Sequence, residues 1–311
     1  MPTILITGGT GLIGKALSKA LLERGYKVIV LTRKIKNQPQ EDKGVEYREW
    51  IIENEFIDKP AIQQADYIVH LAGAGVAEKR WTEKRKKEIV ESRTKSSALI
   101  VKSLKEIPNK VKAVISASAI GWYGADVFTT APKPFIETNP ANHDFLGETC
   151  RHWEESIEPI SVMNKRLIKL RTGIVLSREG GVLKEFRRPL RFGIAAILGS
   201  GNQMISWIHI DDLCRMYIQA IENENLNGTY NAVGPNPVNN RTLTLTLAKA
   251  IKGNFFIPIH IPSFILKMIL GEMSIEVLKS ATVSADKIRQ SGFQFLFPTI
   301  DSAIKELKID S

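Results

Sequence analysis

The sequence predicts an α/β fold, a doubly wound parallel sheet with a second, smaller C-terminal domain, and three observations carry that expectation. Apolar β-rich runs alternate with amphipathic stretches through the first half of the chain. A glycine-spaced turn inside ILITGGTGLIGKAL, residues 4–17, joins the first run to the first amphipathic stretch. After about residue 176 the rhythm changes, and glycines and prolines become frequent. Continuous apolar strands separated by helices belong to a sheet that is covered on both faces.

Taken in order, TILIT (3–7), KVIVLT (27–32), YIVHLAG (67–73), AVISAS (113–118) and LIKLRTGIVL (167–176) read as buried strands. Between them, KALSKALLERG (15–25), the run near 82–105 and ETCRHWEESIEPI (148–160) have helical spacing. Gly25 stands where a left-handed cap would close the first helix. Further on, SWIHIDDLCRMYIQAIEN combines a strand with an Asp-capped helix, and GTYNAVG (228–234) is one more strand, expected to return to the main sheet.

The opening turn carries the chemistry. Gly8, Gly11 and Gly14 follow a G-x-x-G-x-x-G pattern directly after a strand and into a helix, with Thr10, Leu12 and Ile13 between them. The first glycine permits the tight turn, the second lets a diphosphate approach the backbone, and the third lets helix and strand pack closely. The helix start adds unsatisfied N–H groups and a dipole that favours an anion. The expected architecture is therefore a Rossmann-type doubly wound parallel sheet binding a dinucleotide over residues 1–176, with a smaller substrate domain over 177–311.

Nucleotide choice follows from the end of the second strand. An NAD-selective fold places an acidic residue about 20 positions beyond the glycines. Here Arg33 lies 19 residues beyond Gly14 and follows Thr32, and neither is acidic. A guanidinium can bind a 2′-phosphate through two hydrogen bonds, so the expected cofactor is NADP(H).

Bulk properties narrow the remaining classes. The 311 residues are 43% hydrophobic and 24% charged, an ordinary globular composition. Cys150 and Cys214 form no CxxC, and the five histidines show no metal-ligand spacing, which points to a reducing compartment. A strand almost at Met1 leaves no room for a signal peptide. The apolar stretch FFIPIHIPSFILKMILG is broken by His260, Lys267 and two prolines, too often to span a bilayer. The net charge of +10 suits phosphate-bearing ligands, while the densest charge run, EKRWTEKRKKEIVESRTK (78–95), mixes signs as a solvated helix face does. The expectation is a soluble cytoplasmic protein that takes a small-molecule substrate and has no nucleic-acid or membrane partner. Its oligomeric state is open, since no interface stripe separates from ordinary core.

With these residues in hand, the chain resembles the extended, or atypical, short-chain dehydrogenases/reductases over nearly its whole length. Within them it is most similar to the "epimerase family protein" branch, which is related to nucleotide-sugar epimerases. ITGGTGLIG, LTRK, HLAGAGV, SASAIGWYG, DFLGETCRHWE, RTGIVLSREGGVL, GSGNQMISWIHIDDL and NAVGPNPVNN carry the likeness, and GEMSIEVLKSATVSADKIRQSGFQFLFPTI matches the branch's small terminal domain. The resemblance implies that Thr32 and Arg33 meet the phosphorylated ribose, and that Leu71, Ala72 and Gly73 border the dinucleotide. It also implies that Glu88 and Arg93 lie near the adenosine half, with Val175 beside the nicotinamide. From the residues alone, Glu88 reads equally as a surface ion-pair residue.

A catalyst is harder to find. Short-chain enzymes combine a Ser or Thr with a Tyr-x-x-x-Lys pair, whose lysine lowers the tyrosine pKa for proton exchange. Ser118, at the end of AVISAS, can polarise a substrate oxygen or simply satisfy the following turn; Ser116 shares its face. In NHDFLGETCRHWE, however, Phe145 stands where the resemblance places the tyrosine and Thr149 where it places the lysine. Neither can do that work. Tyr123 in GWYG, Glu148 and His209 remain as substitutes, although Glu148 also suits a helix start and His209 can support the Asp211–Asp212 helix. Arg187, Arg188 and Arg191 are candidates for an anionic substrate group. Two functions follow: an NADP(H)-dependent oxidoreductase or epimerase, or an NADP(H)-binding sensor with little turnover.

Overall fold

The computed structural model describes residues 1–35, 44–127 and 133–307. The chain runs β1 (Thr3–Thr7), α1 (Leu12–Glu23), β2 (Lys27–Thr32), β3 (Val45–Ile51), β4 (Phe56–Ile57), α2 (Lys59–Gln64), β5 (Tyr67–His70), α3 (Glu83–Glu106) and β6 (Ala113–Ala119). It continues through α4 (Phe145–Ile157), β7 (Arg166–Thr172), β8 (Ile174–Ser177), β9 (Gly180–Gly181), α5 (Val182–Leu190), β10 (Ile194–Leu198), β11 (Met204–Ile205) and β12 (Trp207–His209). Then come α6 (Ile210–Glu222), β13 (Gly228–Ala232), β14 (Val238–Asn239), α7 (Asn240–Lys252), β15 (Ile257–Ile261), α8 (Ser263–Leu270), α9 (Ser274–Leu278), α10 (Asp286–Gln290) and α11 (Ile300–Glu306).

Eight strands form the main sheet in the order β13-β7-β6-β5-β1-β2-β3-β4, parallel throughout except for the short β4. Alternation along β1 sends its side chains into two cores. Ile4 and Ile6 meet Leu17 and Leu21 of α1 and Leu213 and Tyr217 of α6. Leu5 faces the opposite way, with Ile29, Ile68 and Val114, toward Ile100 and Leu104 of α3. Each such fully buried side chain is worth roughly 1.5–3 kcal/mol relative to exposure, so the strand's register is held from both sides.

Helix ends follow local chemistry. Thr82 and Asp144 accept from the N–H groups of Arg85 and Gly147 and so open α3 and α4. Gly25 sits at φ +81° just past α1, the left-handed cap expected there. The helix after SWIH is capped by His209 rather than by an aspartate: its Nδ1 accepts the Asp211 N–H at 3.2 Å, and both aspartates lie in the first turn. Asp212 is fully buried and binds the N–H groups of Leu296 and Phe297 at 2.9 and 3.0 Å, tying the C-terminal segment to α6.

Residues 167–176, expected as one strand, are two. The Gly173 N–H donates to Ala232, and a Cβ there would lie 2.6 Å from the Ser206 carbonyl oxygen, so only glycine lets the chain leave the main sheet at this point. Beyond it, β8 pairs with β12 and β9 in a separate small sheet. The run GTYNAVG does return, as β13 alongside β7. A third core, built on Leu176, Trp207, Leu183, Leu243, Leu247 and Ile304, holds the C-terminal lobe together.

Candidate functional site

The glycine turn is shaped by what each glycine touches. Gly8 has φ +69°, and a Cβ there would lie 2.8 Å from the Leu71 carbonyl. A Cβ at Gly14 would fall 2.4 Å from the Gly9 Cα, so the third glycine lets α1 start against the turn. Gly11 differs. Its Cβ would meet only the Gly8 carbonyl oxygen, at 3.3 Å, and it is exposed at the start of α1 with no side-chain cap. The first-turn N–H groups, including those of Leu12 and Ile13, lack intrahelical partners by helix geometry. Thr10 and Gly11 line an open groove that runs past Lys15 to Ser177, Arg178 and Lys184. The start of α1 at Gly11 is therefore open toward this groove.

A buried polar lock fixes the strand ends beside it. The Thr7 hydroxyl accepts the N–H groups of Leu71 and Ala72, both at 3.2 Å, and so donates its own proton to His70 Nδ1 at 2.7 Å. His70 is therefore a neutral ring with its proton on Nε2, facing Ser97 at 3.1 Å. Complete burial pushes its pKa down to about 4. Next in the chain, Gly73 and its neighbours are clamped from α3. Arg93 is buried, donates to the Ala74 carbonyl at 3.0 Å, and would lie 3.1 Å from a Cβ at Gly73. Arg85 holds the Gly75 carbonyl and pairs with Glu88 at 2.8 Å. Glu88 is thus the exposed partner of a buried arginine, while Arg93 shapes the loop at Leu71–Gly73.

At the end of β2, Thr32 is buried and its hydroxyl accepts the Lys34 N–H. Arg33 is exposed and forms no ion pair among the described residues. Val175 lies half-buried in β8, just beyond the carboxyl end of the main sheet, and packs on its core. These positions, the glycine turn and Leu71–Gly73 all follow the carboxyl ends of parallel strands, where open α/β sheets bind ligands.

Ser118 and Tyr123 are brought together, but not at an open surface. The Ser118 hydroxyl donates to Glu154 Oε1 at 2.7 Å. Arg171 grips the same carboxylate with two bonds, of 2.8 and 3.0 Å, and donates to the Tyr123 hydroxyl at 3.1 Å. Tyr123 in turn donates to Asn231 at 2.7 Å, and its ring stacks on Phe135 with centroids 5.1 Å apart. Tyr123 is 0% exposed and Ser118 is 3% exposed. Burial raises the Tyr123 pKa, with Arg171 pulling the other way, so the phenol is protonated at neutral pH. As placed, Tyr123 cannot meet a substrate without leaving Asn231 and Arg171. Glu154, Arg171 and Asn231 are the members of this cluster that the motifs did not flag. Glu154 lies in the quoted DFLGETCRHWE, and its pairing with Arg171, 17 residues on, exists only in the fold.

The region that lacks the tyrosine and lysine shows why nothing replaces them locally. Phe145 opens α4 with its ring 4.9 Å from Trp81 and 5.5 Å from the Lys86 ammonium. Thr149 donates back to the Phe145 carbonyl at 2.6 Å. Glu148 pairs with Arg151 and His143. His209 is buried as a cap, with Nε2 3.0 Å from Glu306. Ser116 is also buried and donates to the Ala117 carbonyl. Arg188 pairs with Glu185, while Arg191 is exposed.

Comparison with known proteins agrees with this geometry. Residues 4–146 match the NAD dependent epimerase/dehydratase family, and residues 261–307 match a domain of unknown function, DUF1731. An epimerase family protein of Staphylococcus aureus is 34% identical over 99% of both chains. YfhF of Bacillus subtilis, also an epimerase family protein, is 32% identical over 99% of this chain and 98% of its own. The crystal structure of human epimerase family protein SDR39U1 with NADPH superposes with a TM-score of 0.84 at 28% identity, covering 98% of this chain and 99% of that one. With its glycine cradle, its eight-stranded sheet and full-length relatives of one kind, this chain belongs to the epimerase family.

Proposed function

We propose that the chain binds NADP(H) and acts as an oxidoreductase or epimerase on a small polar substrate, with nucleotide sugars the first class to test. The observation that carries this reading is the outward-opening Gly11 at the start of α1, with an exposed Arg33, without an ion pair among the described residues, at the end of the neighbouring strand. The human relative with NADPH supports it. When bound, the nicotinamide supplies or accepts a hydride. The residues of this chain do the rest: the α1 N–H groups and dipole hold the diphosphate. Arg33 meets the 2′-phosphate beside Thr32. Leu71, Ala72 and Gly73 border the dinucleotide, on a loop held by Thr7, Arg85 and Arg93. Val175 backs the nicotinamide end. Glu88 acts through Arg85, as a positioning residue.

Ser118 and Tyr123 lie buried, held by Glu154 and Arg171, and would have to give up these partners to meet a substrate. Their occupied hydroxyls, together with Phe145 and Thr149, favour a second reading, an NADP(H)-binding sensor with little turnover. Titration calorimetry with NADPH and NADH tests the shared premise. Gly11→Val is expected to abolish NADPH uptake while the melting temperature holds, because its side chain enters the cradle and little else. Failure of the wild type to take up either nucleotide overturns both readings. Hydride transfer to a panel of carbonyl compounds or isomerisation of nucleotide sugars, lost in Tyr123→Phe, establishes the enzyme. Tight binding with no turnover across the panel establishes the sensor.

A further inference from the structure

The two longest acid-free stretches of the chain both lie in the C-terminal lobe. Residues 186–210 and 225–271 contain no aspartate or glutamate, yet carry Arg187, Arg188, Arg191, Arg241, Lys249, Lys252 and Lys267. Seven of the ten excess positive charges therefore lie in these two stretches. Among the described residues, Arg191, Lys249, Lys252 and Lys267 form no ion pair.

The same stretches expose apolar side chains. Strands β10 and β15 pair in parallel with Ile194 beside Ile257, Ala196 beside Ile259 and Leu198 beside Ile261, which puts all six on one face. The opposite face of β10 is buried through Ala195 and Ile197. Ile257 is 66% exposed, and Phe192 and Phe255, two residues before their strands, are 83% and 88% exposed. After Pro262, α8 buries only Leu266 and shows Phe264, Met268 and Ile269 to solvent at 62–69%. Exposed apolar side chains gathered in one part of a folded chain are a feature of interaction sites.

We propose that this lobe docks on an anionic phospholipid surface, with Phe255, Ile257, Phe264 and Met268 entering the headgroup region and Lys252 and Lys267 meeting lipid phosphates. The chemistry selects this occupant. A second copy related by a two-fold axis would bring the same two acid-free stretches together, cation facing cation. A nucleic acid would satisfy the lysines but leave the aliphatic ladder without a counterpart. An added peptide strand is disfavoured: Ile257 and Ile261 hydrogen-bond toward β10, so Pro258 and His260 face the open edge, where Pro258 has no N–H to offer. Lipid supplies both an apolar layer and phosphates. The sequence reading expected no membrane partner because nothing can span a bilayer, and indeed no described helix is long and apolar enough to cross one. Surface docking needs no span.

Flotation of the full-length protein with vesicles tests this, using phosphatidylcholine alone and phosphatidylcholine with about a quarter phosphatidylglycerol. The wild type is expected to float with the anionic vesicles, to bind the neutral ones far less, and to release as salt rises. Each lysine neutralised at the surface, as in Lys252→Gln or Lys267→Gln, should weaken binding about fivefold. Phe264→Ser/Met268→Ser should weaken it at least as much. Thermal melts and NADPH titrations of the same samples are expected to be unchanged. They keep loss of docking distinct from loss of fold and from failure of the cofactor reading. Three results overturn the proposal: no flotation at low salt, flotation indifferent to both variants, or a sedimenting dimer dissolved by Phe264→Ser/Met268→Ser in a protein that ignores vesicles.

Discussion

Helix α3 and the C-terminal lobe are both rich in lysine and arginine, and they treat those charges in opposite ways. Along α3 most cations have a local acid: Lys86 pairs with Glu83 and Glu272, Lys95 with Glu91, Lys102 with Glu55, and the buried Arg85 with Glu88 and Glu78. In the lobe two long stretches contain no acid, and apolar side chains are exposed in the same stretches as Arg191, Lys249, Lys252 and Lys267, which form no ion pair among the described residues. Charge density alone therefore says little about function. What matters is whether the chain has already neutralised it. In the dinucleotide half, the glycine turn and Arg33 stand out among the described residues as an open helix start and an exposed cation without an ion pair. The lobe leaves a whole face unsatisfied.

The sharpest way to break this contrast is to unbalance the satisfied half. Glu154→Ala leaves Arg171 buried with no carboxylate, and the loss of a partner from a buried pair costs about 3–5 kcal/mol. A fall in unfolding free energy of that order in denaturant titrations is the expected outcome. A change below about 1 kcal/mol would show that the half is not held by its internal pairing. Second in size is the His70 lock. Its folded-state pKa of about 4 lies below the ordinary value of 6.5, so between these values the unfolded chain takes up a proton that the native ring refuses. The stabilisation is complete above about pH 6.5 and is lost as pH falls to about 4, a change of roughly 3 kcal/mol. Subtracting the stability profile of His70→Gln from that of the wild type should isolate this slope.

Smaller effects sharpen the contrast at its exceptions. Arg33→Ala removes charge-assisted hydrogen bonds worth about 1.5–3 kcal/mol, so NADPH affinity should drop roughly ten- to a hundredfold while NADH affinity stays the same. An equal drop for both nucleotides would give Arg33 a role other than reading the 2′-phosphate. Smallest of all is the stability change on Phe264→Ser/Met268→Ser. Exposed side chains outside any packed layer should shift stability by no more than about 0.5 kcal/mol. A larger loss by thermal melt would mean that α8 is packed more tightly than its exposure shows.

Much of the dinucleotide half was legible before the fold. Its strands are continuous apolar runs, and the demands of Gly8, Gly11 and Gly14 are local, set by φ angles and atoms a few residues away. The weaker readings share another cause. The strand Val45–Ile51 was not anticipated because its sequence, VEYREWI, mixes charges into a mostly half-buried strand near the sheet edge. Gly173 breaks a run that looks continuous because the obstructing Ser206 carbonyl arrives from 33 residues away. Ser118 and Tyr123 read as free chemistry because their partners, Glu154, Arg171 and Asn231, sit on three other elements.

The amino-acid order by itself determined the parallel sheet, the glycine-spaced turn at its first strand, the missing Tyr-x-x-x-Lys pair and the two acid-free stretches of the C-terminal lobe. Each depends on residue type and short spacing, which backbone sterics and side-chain chemistry read directly. Only the tertiary structure decided that the serine and tyrosine hydroxyls are already occupied, that a buried neutral His70 locks the strand ends, and that Phe192, Phe255, Ile257 and Phe264 of the lobe face outward. Those outcomes depend on which distant groups share a low-dielectric interior, and burial is a property of the packed chain that no local pattern contains.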